Sequence, residues 1–94
     1  MKSKTTKSRG NVFLDLGFSA EEAQVLAMRA KLMSDLRLYI QNKKLTQLQA
    51  AEKLGISQSR VSDLVRGKWE KFSLEMLITL EGRLGRKVSV ELAA

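Results

Sequence analysis

Cysteine and histidine are both absent from the 94 residues. Without cysteine the chain forms no disulfide framework and no thiolate metal site. Without histidine it also lacks Ser-His and Cys-His nucleophile pairs, imidazole acid–base chemistry and the usual ligands of zinc. No apolar run reaches the roughly 18–20 residues that a membrane span requires. The N-terminus has no apolar core of a secretory signal. These absences predict a soluble, cytoplasmic binding protein rather than an enzyme, with no cofactor and no metal. At this length the chain is one small domain.

Positive charge is in excess. Seventeen Lys and Arg stand against ten Asp and Glu, a net charge of +7 and a pI near 10.1. The excess is uneven: residues 1–10 carry +4 with no acid, residues 11–30 carry −2, and residues 31–94 carry +5. A basic arm followed by a basic domain reads as the electrostatic footprint of a nucleic-acid binder. The composition of residues 1–10 predicts a disordered arm, because so polar a segment cannot offset its ordering entropy. That arm is either a solubilising tail or a functional one.

From residue 11 onward, helix signals follow one another closely. Val12, Phe13, Leu14, Leu16 and Phe18 are available for packing and predict a short docked segment. Ser19-Ala20-Glu21-Glu22 is a capping box. Ala23, Leu26, Ala27, Ala30, Met33, Leu36 and Ile40 then recur at three- and four-residue steps, the spacing of one helical face. This predicts either one helix over about 20–42 or two with a break near Ala30. A second capping box, Thr46-Gln47-Leu48-Gln49, opens a short helix over 47–54 that Gly55 closes. Ser57 begins a third helix of about 57–66, with Ile56 and Val61 placed as a hydrophobic staple. Phe72, Ser73 and Leu77 repeat that pattern for a fourth helix over 74–84, stopped by Gly85. Finally Lys87-Val88-Ser89-Val90-Glu91-Leu92 alternates strictly, which predicts a short strand. Such a strand needs a partner, either residues 11–16 or a second copy of the chain.

Two short helices joined at a glycine form a helix-turn-helix. Ala51 is small where the helices cross, and Leu48, Leu54, Ile56, Val61 and Leu64 are expected to point inward. The rest of the third helix is polar: Gln58, Ser59, Arg60, Ser62, Asp63 and Arg66. Gln pairs with adenine and Arg with guanine through two hydrogen bonds, whereas Ser is too short for that. Asp63 either accepts from cytosine or pairs with Arg60 or Arg66; an unpaired carboxylate near phosphates favours the pairing. Gln47 sits at a helix N-terminus, where free N–H groups favour a phosphate. The plainer alternatives are an ordinary solvated face for Arg60, Arg66 and Lys68, and a core or rim place for Trp69. Met28, Met33 and Met76 read as core filler. Glu70, Glu75 and Glu81 read as surface charges.

The stretch LTQLQAAEKLGISQSRVSDLVRGK, residues 45–68, resembles the helix-turn-helix of the Cro/C1-repressor (XRE) family. With NVFLDLGFSAEEA, VSDLVRGKWEKFSLEMLITLEGRLG and VSVEL, residues 11–92 are similar to the HigA-like antitoxins within that family. The resemblance implies an all-α, lambda-repressor-like bundle of four to five helices with a C-terminal β-strand, spanning 11–94 beyond the basic arm. It implies base reading by Gln58, Ser59, Arg60, Ser62 and Asp63. It implies phosphate contacts from Thr46, Gln47, Ser57, Arg66 and Lys68. Arg60 and Asp63 depart from the uncharged residues common in phage repressors, so operator preferences do not transfer. The expected partner is double-stranded DNA with a palindromic operator, because one recognition helix reads too few bases and dimers are the usual solution. Val88, Val90 and Leu92 would form the homodimer seam. The resemblance adds repression of the protein's own operon in a bacterial cell and a small ribonuclease toxin as partner. The competing reading is a protein-interaction module that uses the helix-turn-helix as scaffold.

Overall fold

The computed structural model describes residues 11–93. The expected basic arm, residues 1–10, lies outside them. Among the described residues are five α-helices: α1 (Val12–Asp15), α2 (Ala20–Asn42), α3 (Gln47–Leu54), α4 (Gln58–Val65) and α5 (Leu74–Arg83). A single 3₁₀ turn, Trp69–Lys71, joins α4 to α5.

Local sequence chemistry sets nearly every boundary. Asn11 caps α1 by accepting from the Phe13 amide. Ser19 and Thr46 cap α2 and α3 in reciprocal boxes with Glu22 and Gln49. Each box satisfies amides that a helix start leaves without partners. Ser57 and Ser73 cap α4 and α5. The long apolar stripe forms one unbroken helix of 23 residues, with no break at Ala30. Its end is unusual. Lys44 turns the chain at φ +53°, while the Lys44 and Leu45 amides donate back to the Gln41 and Ile40 carbonyls. That conformation ordinarily belongs to glycine, because a Cβ crowds the neighbouring carbonyl.

The main core joins Met33, Leu36 and Ile40 of α2 to Ala50, Ala51 and Leu54 of α3. Val61 and Leu64 of α4, Phe72, and Leu77 and Leu80 of α5 complete it. Burying each of the larger side chains is worth about 1.5–3 kcal/mol. A smaller cluster docks α1 on the start of α2 through Phe13, Ala23 and Leu26. There Phe13, Phe18 and Trp69 meet edge to face, with ring centroids 5.7–6.5 Å apart. Trp69 also touches the main core, so it ties the two clusters together at their rim.

Four expectations are corrected. The C-terminal strand is not seen in the single chain: residues 86–93 hold no regular structure among the described residues. Its expected partner within the chain is α1, whose amides are already turned inward to their own carbonyls, as in Leu16 to Val12. Leu48 is 55% exposed rather than inward-facing. It precedes Ala50 by two residues, about 200° around the helix, and Ala50, Ala51 and Leu54 take the inner stripe. Met33 is buried and Met76 packs half-buried against the main core, but Met28 is half-buried outside both core clusters. Glu81 is not a surface charge. It is 2% exposed, on the inner face of α5.

Candidate nucleic-acid interface

The sequence from Thr46 to Arg66 folds into two eight-residue helices set around a tight turn. Gly55 makes that turn at φ +71°, with its amide and that of Ile56 both donating to the Ala51 carbonyl. Ala51 is buried where the helices cross. On α4, Val61 and Leu64 are fully buried against the core. Because they lie three residues apart on one face, the opposite face faces outward, and it is polar. Eight residues span about 12 Å, the width of a DNA major groove.

The expected base readers divide into two groups. Gln58 and Ser59 are exposed at the N-terminal turn of α4. Gln58 has no side-chain hydrogen bond among the described residues, while the Ser59 hydroxyl lies 3.2 Å from that of Ser57. Arg60, Ser62 and Asp63 are half-buried. Arg60 rests its guanidinium over the Phe72 ring, 4.6 Å from the centroid, so it is partly engaged within the fold. Asp63 has a different partner from the arginines expected: it faces Lys68 at 3.9 Å. The reason is the end of α4, where the Lys68 amide returns to the Asp63 carbonyl and brings the two side chains together.

The expected phosphate ligands form a broken rim around the same face. Gln47 is exposed at the start of α3 with no side-chain partner among the described residues. Thr46 and Ser57 are exposed, and their hydroxyls accept from the Gln49 and Arg60 amides as helix caps. Arg66 is exposed at the end of α4, and Lys68 follows the left-handed Gly67. Residues 43–71 carry seven bases against three acids. Surfaces of that sign raise the local concentration of polyanions and speed their capture. The geometry therefore provides a basic, outward-facing helix face with the N-termini of α3 and α4 beside it, suited to a phosphate-lined groove.

The contacts of three residues around the helix-turn-helix and the end of α5 were not apparent in the sequence. Arg37, on α2, packs beside Gly67: a Cβ placed on that glycine would sit 3.7 Å from the Arg37 guanidinium. Arg83, on α5, donates to the Leu54 carbonyl at 2.8 Å. Both reach the helix-turn-helix from other helices, and only the tertiary fold shows that. The third is Glu81. Its carboxylate lies beside Asp35 of α2, and Arg86 pairs with Asp35 and approaches Glu81 at 3.5 Å. Neither Glu81 oxygen has a hydrogen-bond partner within normal geometry among the described residues. Burial, and then the adjoining Asp35 carboxylate, raise its pKa to about 7, while Arg86 pulls in the opposite direction.

The expected dimer seam lies along the open tail. Val88 is half-buried, whereas Val90 is 64% and Leu92 93% exposed. No helix among the described residues is long and apolar enough to cross a membrane.

The family model described as a helix-turn-helix domain matches residues 12–93. A solved structure assigned as an XRE family transcriptional regulator is 34% identical to this chain, with a TM-score of 0.72. That likeness covers 78% of this chain and 82% of the other. No curated protein matches the chain.

Proposed function

The chain belongs to the helix-turn-helix domain family and has the fold of an XRE-type DNA-binding transcriptional regulator, and from that premise we propose that it is a homodimeric autorepressor of palindromic operators. In this reading α4 enters the major groove. Gln58 and Ser59 lead the base contacts, with Arg60, Ser62 and Asp63 further along the helix. Thr46, Gln47, Ser57, Arg66 and Lys68 hold the backbone phosphates. The observation that carries the reading is the two-sidedness of α4: Val61 and Leu64 anchor it fully, and Gln58 stands free at its exposed end.

The dimer would join through the tail. Beyond the Arg86 amide, residues 87–93 make no backbone hydrogen bond among the described residues, so Val88, Val90 and Leu92 present an unpaired edge. A second copy pairing antiparallel would satisfy both edges by the same contacts, as two-fold symmetry requires. The same protein would act as an antitoxin against a small ribonuclease. One feature supports a protein partner of some kind. Phe18, Val25, Leu26 and Trp69 line an open groove of about 400 Å³ beside α1, where Val12, Leu14 and Leu16 are at least half exposed. That surface also favours the second reading, an interaction module that binds no specific DNA.

Titration against the DNA upstream of its own gene, beside a random duplex and at two salt concentrations, separates the two. A specific regulator binds the upstream DNA at least about a thousandfold tighter than random duplex. Neutralising about five phosphates gives a slope of log K against log salt near −4 to −5. Equal, weak binding to both duplexes would remove the regulatory reading.

A further inference from the structure

The turn between α3 and α4 sets the angle at which α4 leaves the fold, yet its own backbone closes it incompletely. The amides of Gly55 and Ile56 both return to Ala51, and among the described residues no backbone amide reaches the Leu54 carbonyl. A helix ends with its last carbonyls unpaired and carrying partial negative charge. Here a cation from a distant helix answers that charge. The Arg83 Nη1 donates to the Leu54 oxygen at 2.8 Å across 29 residues of sequence.

The guanidinium does more than cap. A Cβ placed on Gly55 would lie 3.2 Å from Arg83 Nη1 and 3.6 Å from its central carbon. The side chain thus lies directly against the turn, on the side where any larger residue would stand. Arg83 rises from the last turn of α5, whose Leu77 and Leu80 are fully buried in the main core. Its base is therefore fixed while its tip holds the turn. We propose that Arg83 is a positioning residue for DNA recognition: by clamping the Leu54 carbonyl and the face of Gly55, it fixes the angle between α3 and α4. The proposal rests on the DNA-binding reading and assigns Arg83 no contact with DNA.

A loose α4 would still lie on phosphates but would seat its base contacts poorly. Specific and non-specific binding must then respond differently. The test uses the full chain, a duplex selected by the wild-type protein from a random pool, and a random duplex. Arg83→Met keeps the aliphatic stem and removes the donor. Its affinity for the selected duplex is expected to fall about tenfold, the loss of one charged hydrogen bond, with random-duplex affinity and salt slope unchanged. Arg83→Lys restores a donor and is expected to recover part of that loss. Amide hydrogen exchange at Gly55 and Ile56 is expected to accelerate in Arg83→Met, while the amides of α2 keep their protection. A purely structural role would lower the unfolding temperature and leave the ratio of selected to random affinity as it was, which overturns the proposal. So does an equal loss on both duplexes with a salt slope shallower by about one, since that marks Arg83 as a phosphate ligand. A wild-type protein that prefers no duplex refutes the DNA-binding reading itself, a result distinct from either.

Discussion

The absence of histidine gives this protein an unusually clean pH test. Neither histidine nor cysteine is present to change charge between pH 5 and 8, and a carboxyl group ordinarily ionises below that range. Glu81 is different because it is buried beside Asp35, and its pKa stands at about 7 against an ordinary 4.5. The folded state therefore keeps a proton that the unfolded chain releases from about pH 4.5 upward. Stability from this group is complete below pH 4.5 and is lost as pH rises to 7, where the folded carboxyl ionises as well. The rise from 4.5 corresponds to on the order of 3 kcal/mol, most of which falls between pH 5 and 8. For a domain of this size that is a large share of the total. Urea denaturation at half-unit pH steps reads it directly. The wild-type protein is expected to lose stability steadily as the pH rises, and Glu81→Gln to show a flat profile crossing above wild type near neutrality. A flat wild-type profile, or a slope that survives in Glu81→Gln, would refute the assignment.

Four substitutions probe the rest of the molecule. Gln58→Ala is expected to cost about 1–3 kcal/mol on the cognate duplex and to relax specificity at one position; Lys68→Ala is expected to weaken all sequences alike. Competition binding with single-base operator variants distinguishes the two, and identical profiles would remove Gln58 from base reading. Val90→Asp is expected to give a monomer in sedimentation equilibrium, and a dimer that persists would move the seam off the tail. Lys44→Gly relieves the left-handed backbone and is expected to stabilise the fold by about 1 kcal/mol, measured by thermal unfolding. An unchanged or lower unfolding temperature would show that Lys44 holds its conformation without strain.

The parts of the fold legible in the sequence are those fixed by neighbours in the chain. Ser19, Thr46, Ser57 and Ser73 each cap the helix that follows them, because a hydroxyl three residues before a free amide needs no information from elsewhere. Gly55 and Gly67 sit where the chain turns left-handed for the same local reason. What could not be read depends on contacts between helices. Glu81 looks like any solvated acid in a helix until the packing of α5 against α2 places it inside. Asp63 stands one helical turn from Arg60 and Arg66, yet the chain reversal after α4 delivers Lys68 to it first. Arg60 satisfies the pattern of a base reader, but Phe72, twelve residues on, returns beneath its guanidinium. The tail holds no strand in the single chain for a related reason: alternation shows which side chains share a face, and says nothing of whether a neighbouring edge exists within the chain.

Glu81, Arg83 and Arg86 lie at and just past the end of α5, and their side chains lead to two parts of the molecule. Arg83 reaches the helix-turn-helix, while Glu81 and Arg86, the latter at the root of the tail, both turn to α2, where Arg86 pairs with Asp35 and lies over the Tyr39 ring at 5.1 Å. If two copies join through their tails, the spacing of their α4 helices is set by this short chain of contacts. A force on the tail root would reach the turn through a single helix end, without crossing the main core. Ionising Glu81 loosens that end through repulsion from Asp35, so operator affinity is expected to fall as the pH rises through 7. It should fall more for operators whose half-sites demand fixed spacing than for a single half-site. Binding to an isolated half-site that drops as steeply as binding to the full operator would place the pH effect in the domain's own stability and not in the geometry of the pair.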